Sequence, residues 1–233
     1  MRSLQLYLTQ EHPCSYLSGL NASSIFIDPE EPITAELYSQ LIEQGFRRSA
    51  DSIYRPHCGP CTACISVRIP VHQFKPSSSQ KKILRRNQDL SVTITKSQFT
   101  NEHYALYKHY IEHRHADGDM YPPSIEQFKS FLTSDFEFVR FYEFRLDKKL
   151  LAVAVTDVLP SGLSAMYTFF SPDEQRRSLG RFCILFQIQE ALRLDLPHLY
   201  LGYWVKDCSK MNYKTQYQPL EGFTEQNWQA LIA

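Results

Sequence analysis

The sequence predicts an α+β protein, helices mixed with a largely antiparallel sheet, and three observations carry that expectation. Residues 136–170 hold three runs of branched and aromatic side chains, parted by the turns Asp147-Lys148-Lys149 and Pro160-Ser161-Gly162, which is how an antiparallel meander reads. A basic turn, a long helical stretch from about Arg177 to Leu194 and a strand-like run from His198 to Tyr203 follow in that order. Earlier in the chain a thiol-rich segment, Cys58-Gly59-Pro60-Cys61-Thr62-Ala63-Cys64, marks a smaller lobe of different construction.

The elements can be justified in order. Leu4 to Thr9 alternates like a strand, and Ser24 to Asp28 fits a second after a turn at Gly19 and Asn21. Thr34 can cap a helix whose apolar stripe is Leu37, Tyr38, Leu41 and Ile42, with Gly45 placed for a left-handed C-terminal residue. Strands fit Phe46 to Arg48 and Ile65 to Ile69, on either side of the cysteine loop. Pro76-Ser77-Ser78-Ser79 breaks the chain and caps a short helix, Gln80 to Arg86, so a lobe of residues 1–76 is expected to join a larger one of 77–233. A strand fits Leu90 to Thr95; helices fit Thr100 to about His115 and Ser124 to Leu132; then come the meander strands 136–146, 150–159 and 164–170.

Composition narrows the class. The chain has 233 residues, 43% hydrophobic and 21% charged, which is ordinary for a folded globular protein. No stretch approaches the roughly 18 to 20 apolar residues that a membrane helix requires. The amino terminus lacks the long apolar segment of a secretory signal, so the cytosol and reduced thiols are the expectation for the six cysteines. Net charge is zero, but residues 1–96 carry net +3 and residues 97–233 net −3, which makes the first half the likelier face for a polyanion.

Two motifs carry chemistry. Cys58, Cys61 and Cys64, with Cys14 upstream, are four thiols that could hold a zinc ion or an iron–sulfur cluster, or could stay reduced and shape a loop; spacing leaves both readings open. Gln175-Arg176-Arg177-Ser178-Leu179-Gly180-Arg181-Phe182 puts guanidinium groups and free N–H groups at a helix start, where the helix dipole favours an anion. Meander, basic turn, helix and strand form the order of the acetyltransferase-type (GNAT) fold. Phe182 stands where acetyltransferases have a small residue, which argues against close approach of a coenzyme A pyrophosphate.

The motifs His12-Pro13-Cys14-Ser15-Tyr16-Leu17, Gly45-Phe46-Arg47-Arg48-Ser49, Tyr54 through Cys64, Arg85 through Leu90, Tyr110 through Met120, and Tyr203-Trp204-Val205 through Lys210-Met211-Asn212-Tyr213-Lys214 span almost the whole chain. In this order and spacing they closely resemble the bacterial leucyltransferase branch of the arginyl-tRNA–protein transferase family. The resemblance implies a GNAT-like fold and transfer of leucine from leucyl-tRNA to proteins that begin with Asp or Glu, marking them for N-degron proteolysis.

The implied reaction starts from an activated ester. It needs no cofactor, only positioning, a deprotonated acceptor amine and donors for the developing oxyanion. The resemblance then points to Lys81, Lys82, Arg85 and Arg86 on one helix face, with Arg176, Arg177, Ser178 and Gly180, as tRNA contacts. Arg47, Arg48, Arg55 and His57 become candidates for the acidic acceptor terminus, since arginine recognises carboxylates bidentately. Tyr203, Lys206, Asp207, Asp119 and Lys214 are candidates for orientation or proton transfer, and Trp204, Met211 and Tyr213 for the aminoacyl pocket. His113 and His115, with Asp119 following, could ligate a metal, shuttle protons or simply favour a helix end. Two other classes compete: an acyl-CoA-dependent N-acetyltransferase, and a non-enzymatic metal-stapled RNA-binding module. Oligomeric state is not legible.

Overall fold

The computed structural model of the chain describes residues 4–118 and 120–231. In chain order come β1 (Leu6–Leu8), β2 (His12–Pro13), β3 (Asn21–Ala22), β4 (Ser24–Ile27), α1 (Ala35–Glu43), β5 (Arg47–Ser49), β6 (Ser52–Pro56) and β7 (Ile65–Pro70). Then follow α2 (Ser78–Arg86), β8 (Ser91–Lys96), α3 (Asn101–Arg114), α4 (Ile125–Leu132), β9 (Val139–Leu146), β10 (Lys149–Leu159) and β11 (Gly162–Phe170). The chain closes with α5 (Leu179–Arg193), β12 (His198–Trp204), β13 (Glu221–Thr224) and β14 (Asn227–Ala230).

Helix starts lie where capping chemistry places them. Thr34 Oγ1 accepts the Leu37 N–H at 3.2 Å, Thr100 Oγ1 that of His103 at 3.1 Å, and Ser124 Oγ that of Gln127 at 3.0 Å. At α2 the bonds are reciprocal: Ser77 Oγ accepts from Gln80 N at 3.3 Å and Gln80 Oε1 accepts from Ser77 N at 2.8 Å, a full capping box. Helix α1 ends at Gly45, whose φ of +84° is the left-handed conformation expected there.

Two sheets organise the chain. A four-stranded sheet has the order β1-β4-β6-β5, and an eight-stranded sheet has the order β14-β13-β7-β12-β11-β10-β9-β8. Strand β7 lies before the expected boundary at 76/77, yet it is hydrogen-bonded between β13 and β12 in the larger sheet. Its residues Ser66 to Pro70 are all buried, as a strand covered on both faces must be.

Apolar side chains fill both faces of that sheet. On one, Leu179, Phe182, Leu185 and Ile188 of α5 share a core with Val67, Phe144, Leu163 and Leu199; on the other, Ile42 of α1, Tyr107 of α3 and Phe128 of α4 join Phe141, Val153, Phe169 and Tyr200. Phe182 thus serves the core, its ring edge-on to Phe144 at 5.4 Å.

One junction in the large sheet is parallel. Strands β11 and β12 pair only at Leu163↔Leu199 and Ser164↔Tyr200 and then part. Both bend there: Met166 is the extra residue where β11 shifts register against β10, and Leu201 the extra residue where β12 shifts against β7. Beyond Ser164 and Tyr200 the facing backbone edges have no ladder partner across the gap. This splayed sheet with α5 packed beneath gives the chain a GNAT-like acyltransferase fold.

Candidate active site at the strand splay

The parting of β11 and β12 opens a cleft of about 940 Å³. Its walls are Ser164 to Thr168 of β11, Leu201 to Tyr203 of β12, Ser178 to Arg181 at the start of α5, and Lys210 to Lys214 in a short 3₁₀ stretch. Tyr16, Arg47, Arg48 and Tyr54 reach it from the amino-terminal part, and Tyr110, Arg114, His115 and Asp117 from the end of α3. The start of α5 and two tyrosines of the amino-terminal part, Tyr16 and Tyr54, therefore border one cavity, whose lining holds none of the four thiols among the described residues.

Two buried cations stand at the base. Lys214 is 6% exposed and its Nζ donates to the Tyr203 carbonyl. Burial, reinforced by the charge of Arg47, pulls its ammonium down to about 7, so near neutral pH the amine is available as a base. Gly202, at φ +78° in the β12 irregularity, lies beside this amine: a Cβ there would sit 3.8 Å from Nζ. Arg47, 4% exposed, donates from Nη1 to the Phe46 carbonyl at 2.8 Å and from Nη2 to that of Val67 at 3.4 Å, while its Nε has no partner. Its guanidinium lies over the rings of Tyr200 and Tyr203, at 5.3 and 5.9 Å from their centroids.

Carboxylates of the cleft are already engaged. Asp117 pairs with Lys210 at 3.4 Å and Glu174 with Arg177 at 3.4 Å. With Arg47, Arg114 and Arg181 unmatched in the ion pairs of the described residues, the cavity carries excess positive charge. Burial and the charges of Lys210 and Arg114 lower the His115 imidazole pKa, and its Nε2 is 3.0 Å from the Tyr110 hydroxyl.

The rim is basic. Ser178 caps α5 in a left-handed conformation without a side-chain bond to the helix, so the first-turn N–H groups of Leu179, Gly180 and Arg181 lie free at the cleft wall. Helix α2 docks against this turn: Arg86 donates to the Arg176 carbonyl, and Asn87 Nδ2 to that of Arg177 at 2.9 Å. Arg177 is clamped bidentately on Asp89 at 2.8 Å, which holds the Asp89 carboxyl below its usual range. The two basic clusters expected from the sequence are thus one surface. Arg177 serves as a tie within it, whereas Lys81, Lys82, Arg85 and Arg176 are exposed.

Other candidates fall into three groups. Met211, Tyr213, Lys214 and Tyr203 line the cleft, though Tyr203 spends its hydroxyl on the Gly45 carbonyl at 2.9 Å and burial raises its pKa well above the ordinary phenol value, which suits a strut better than a proton carrier. Trp204 departs from expectation: it is 7% exposed within the core on the α5 side and does not line the cleft, because successive strand residues face opposite ways. Lys206 and Asp207 are exposed in the turn after β12, and His57 is exposed on the loop beside Cys58; none of the three lines the cavity. Arg55 lies over the Phe46 ring at 5.0 Å and donates to the Gln44 carbonyl at 3.0 Å. Asp119 lies outside the described residues.

The four thiols, for which the sequence left a metal site and a reduced loop both open, come near one another. Cys58 Sγ donates to the Ser23 carbonyl at 3.3 Å, and Cys14 Sγ accepts N–H groups of Tyr16 and Leu17 at 3.5 Å. Burial, followed by the proximity of Cys58, Cys14 and Cys61, pushes the Cys64 thiol up to about 12. Among the described residues no set of three or more His, Cys, Asp or Glu side chains is placed to hold a metal ion. Cysteines 14, 58, 61 and 64 are half-buried and unpaired by disulfides.

Sequence reasoning missed Met166, Tyr167, Leu201 and Ser164 as cleft residues. They sit in ordinary strand patterns, and only the parting of β11 and β12 exposes them.

The chain is similar to known proteins along most of its length. Residues 12–82 match the arginine-tRNA-protein transferase N-terminal family, and residues 102–224 match the corresponding C-terminal family. The chain is 58% identical over 228 residues to the aspartate/glutamate leucyltransferase of Pseudomonas syringae pv. tomato, covering 98% of this chain and 97% of that one. It is 59% identical over 225 residues to that of Pseudomonas fluorescens, covering 97% and 96%. Among solved structures, L-PGS from Bacillus licheniformis aligns with a TM-score of 0.47 at 10% identity, over 72% of this chain and 50% of that one. With both family halves matched and relatives alike from end to end, the chain belongs to the arginine-tRNA-protein transferase family, among its aspartate/glutamate leucyltransferases.

Proposed function

We propose that the chain transfers leucine from leucyl-tRNA to the α-amine of proteins that begin with Asp or Glu, and that the β11–β12 cleft is where ester and amine meet. The carrying observation is the placement of a buried, near-neutral lysine amine and a wall of free helix N–H groups in one cavity of excess positive charge. A polyanionic donor and an acidic acceptor both suit that field.

In this reading the exposed basic side chains of α2, with Arg176 and Arg181, take the phosphates of the tRNA end, and the α5 N-terminus holds the last of them. Aromatic faces at Tyr213 and Tyr110 offer stacking for the terminal adenine. The leucyl side chain enters the apolar gap between Met166, Leu201 and Ile184. The acceptor α-ammonium, with a reference pKa of roughly 7.7 to 8.0, gives its proton to the Lys214 amine. The freed amine attacks the ester carbonyl and an oxyanion forms; its collapse makes the amide and breaks the ester C–O bond, and the attacking nitrogen's second proton passes to the departing ribose oxygen. No cofactor enters, because the ester bond already holds the free energy.

Incubation of the purified chain with leucyl-tRNA and an Asp-initiated peptide tests this. Mass spectrometry should find one leucine residue added at the peptide α-amine, abolished by ribonuclease. Absence of transfer from any charged tRNA, together with tight coenzyme A binding by calorimetry, would favour the N-acetyltransferase reading instead.

A further inference from the structure

Three arginines from the amino-terminal part were open as readers of the acceptor's acidic side chain, and their surroundings separate them. Arg48 reaches the cleft wall, but its Nε and Nη2 both bond Asp157 Oδ1, at 3.0 and 2.6 Å, with both side chains fully buried. Its charge is already matched. Arg55 is outside the cleft, its guanidinium spent on a ring face and the Gln44 carbonyl.

Arg47 differs from both. It is buried in the cleft lining and, among the described residues, has no carboxylate partner, bonds only backbone carbonyls and leaves Nε unpartnered. A buried guanidinium without a counter-ion is costly, and protein interiors retain one only when something compensates it. Two tyrosine rings and three carbonyls do so in part.

We propose that Arg47 is the specificity-determining residue that receives the side-chain carboxylate of the acceptor's first residue; this rests on the leucyl-transfer reading above. Lys214, whose amine shares the cleft base with Arg47, then lies on the same side as the acceptor's α-amine. One residue thus presents its acid to Arg47 and its amine to Lys214. An Asn- or Gln-initiated peptide would bring an amide to a site built for a charge and leave the guanidinium unmatched.

The test compares kcat/KM for Asp- and Asn-initiated peptides of otherwise identical sequence in wild type, Arg47→Met, Arg47→Lys and Arg48→Lys. The Asp/Asn ratio should fall by on the order of 100-fold in Arg47→Met and about 10-fold in Arg47→Lys, because a point charge replaces a bidentate fork. KM for leucyl-tRNA should stay within about threefold, and Arg48→Lys should keep the wild-type ratio; the ratio, not either rate alone, is the readout, because losing the Arg47 charge also acts on Lys214. Should Arg47→Met fail to fold, Arg47→Lys decides, and a wild-type ratio there overturns the assignment. A wild type that adds leucine to neither peptide sinks the proposed function instead; a wild type that transfers normally while both Arg47 variants keep their discrimination sinks this assignment alone.

Discussion

Arg48 and Asp157 meet at 2.6 Å with neither side chain reachable by solvent, tying β5 of the small sheet to β10 of the large one. Such a pair contributes little net stability against an apolar replacement, yet breaking it strands a buried charge. Asp157→Ala should therefore cost about 3–5 kcal/mol in urea unfolding. Arg48→Met with Asp157→Leu should recover most of that loss, and variants that remain folded should keep their preference among acceptor peptides. Additive losses in the double variant would show that the two do not act as a pair.

Lys214 makes the reaction depend on pH. Its amine must be unprotonated to accept a proton, and burial places its titration near 7. The rate at saturating substrates should rise through about that pH and level off above it. Lys214→Met should lower kcat by roughly 10² to 10⁴, the usual contribution of a positioned base, with KM for leucyl-tRNA little changed. A wild-type profile flat from pH 6 to 9 would remove Lys214 from that role.

The same group links stability to pH, and the sign is fixed. An unfolded lysine stays protonated up to its ordinary pKa of about 10.4, whereas the folded one loses its proton near 7. Between those values the unfolded chain binds more protons, so this group makes stability rise with pH above about 7, and its penalty is complete below it. Lys214→Met should raise the melting temperature more at pH 6 than at pH 9, partly offset by the loss of the donor to the Tyr203 carbonyl. A shift equal at both values would contradict the linkage.

Exposed and clamped cations on the rim should behave differently. Replacing Lys81, Lys82 and Arg85 by Ala should raise KM for leucyl-tRNA and flatten its salt dependence by about one unit of slope per lost phosphate contact. Asp89→Ala removes no cation but frees Arg177 from its bidentate clamp. It should loosen the α5 turn with a stability cost of about 1 kcal/mol or less, since the Asp89 side of the pair is solvent-exposed.

Much of this architecture was legible beforehand. Thr34, Thr100 and the run Pro76 to Ser79 announced their helices because a cap is a local interaction, whereas Ser124, read as helical, is the cap of its own. The meander and α5 read correctly because their periodicity is long. Strand β6 and the β13–β14 hairpin were missed: Ser52 to Pro56 and Glu221 to Ala230 are short and mostly polar, and long-range pairing with β4 and β7 makes them strands. In the site, Arg47 and Arg48 are neighbours that sequence could not separate. Asp157, 109 positions away from Arg48, decides which of them keeps an unmatched charge.

The most direct measurement is a crystal structure with an amide-linked leucyl-adenosine, which cannot be aminolysed, and an Asp-initiated peptide. The leucyl group should lie between β11 and β12, with the ribose toward Arg181, the peptide carboxylate on Arg47 and its α-amine facing Lys214. A leucyl group bound elsewhere, or a peptide terminus distant from both Arg47 and Lys214, would contradict the idea that this cleft joins donor to acceptor.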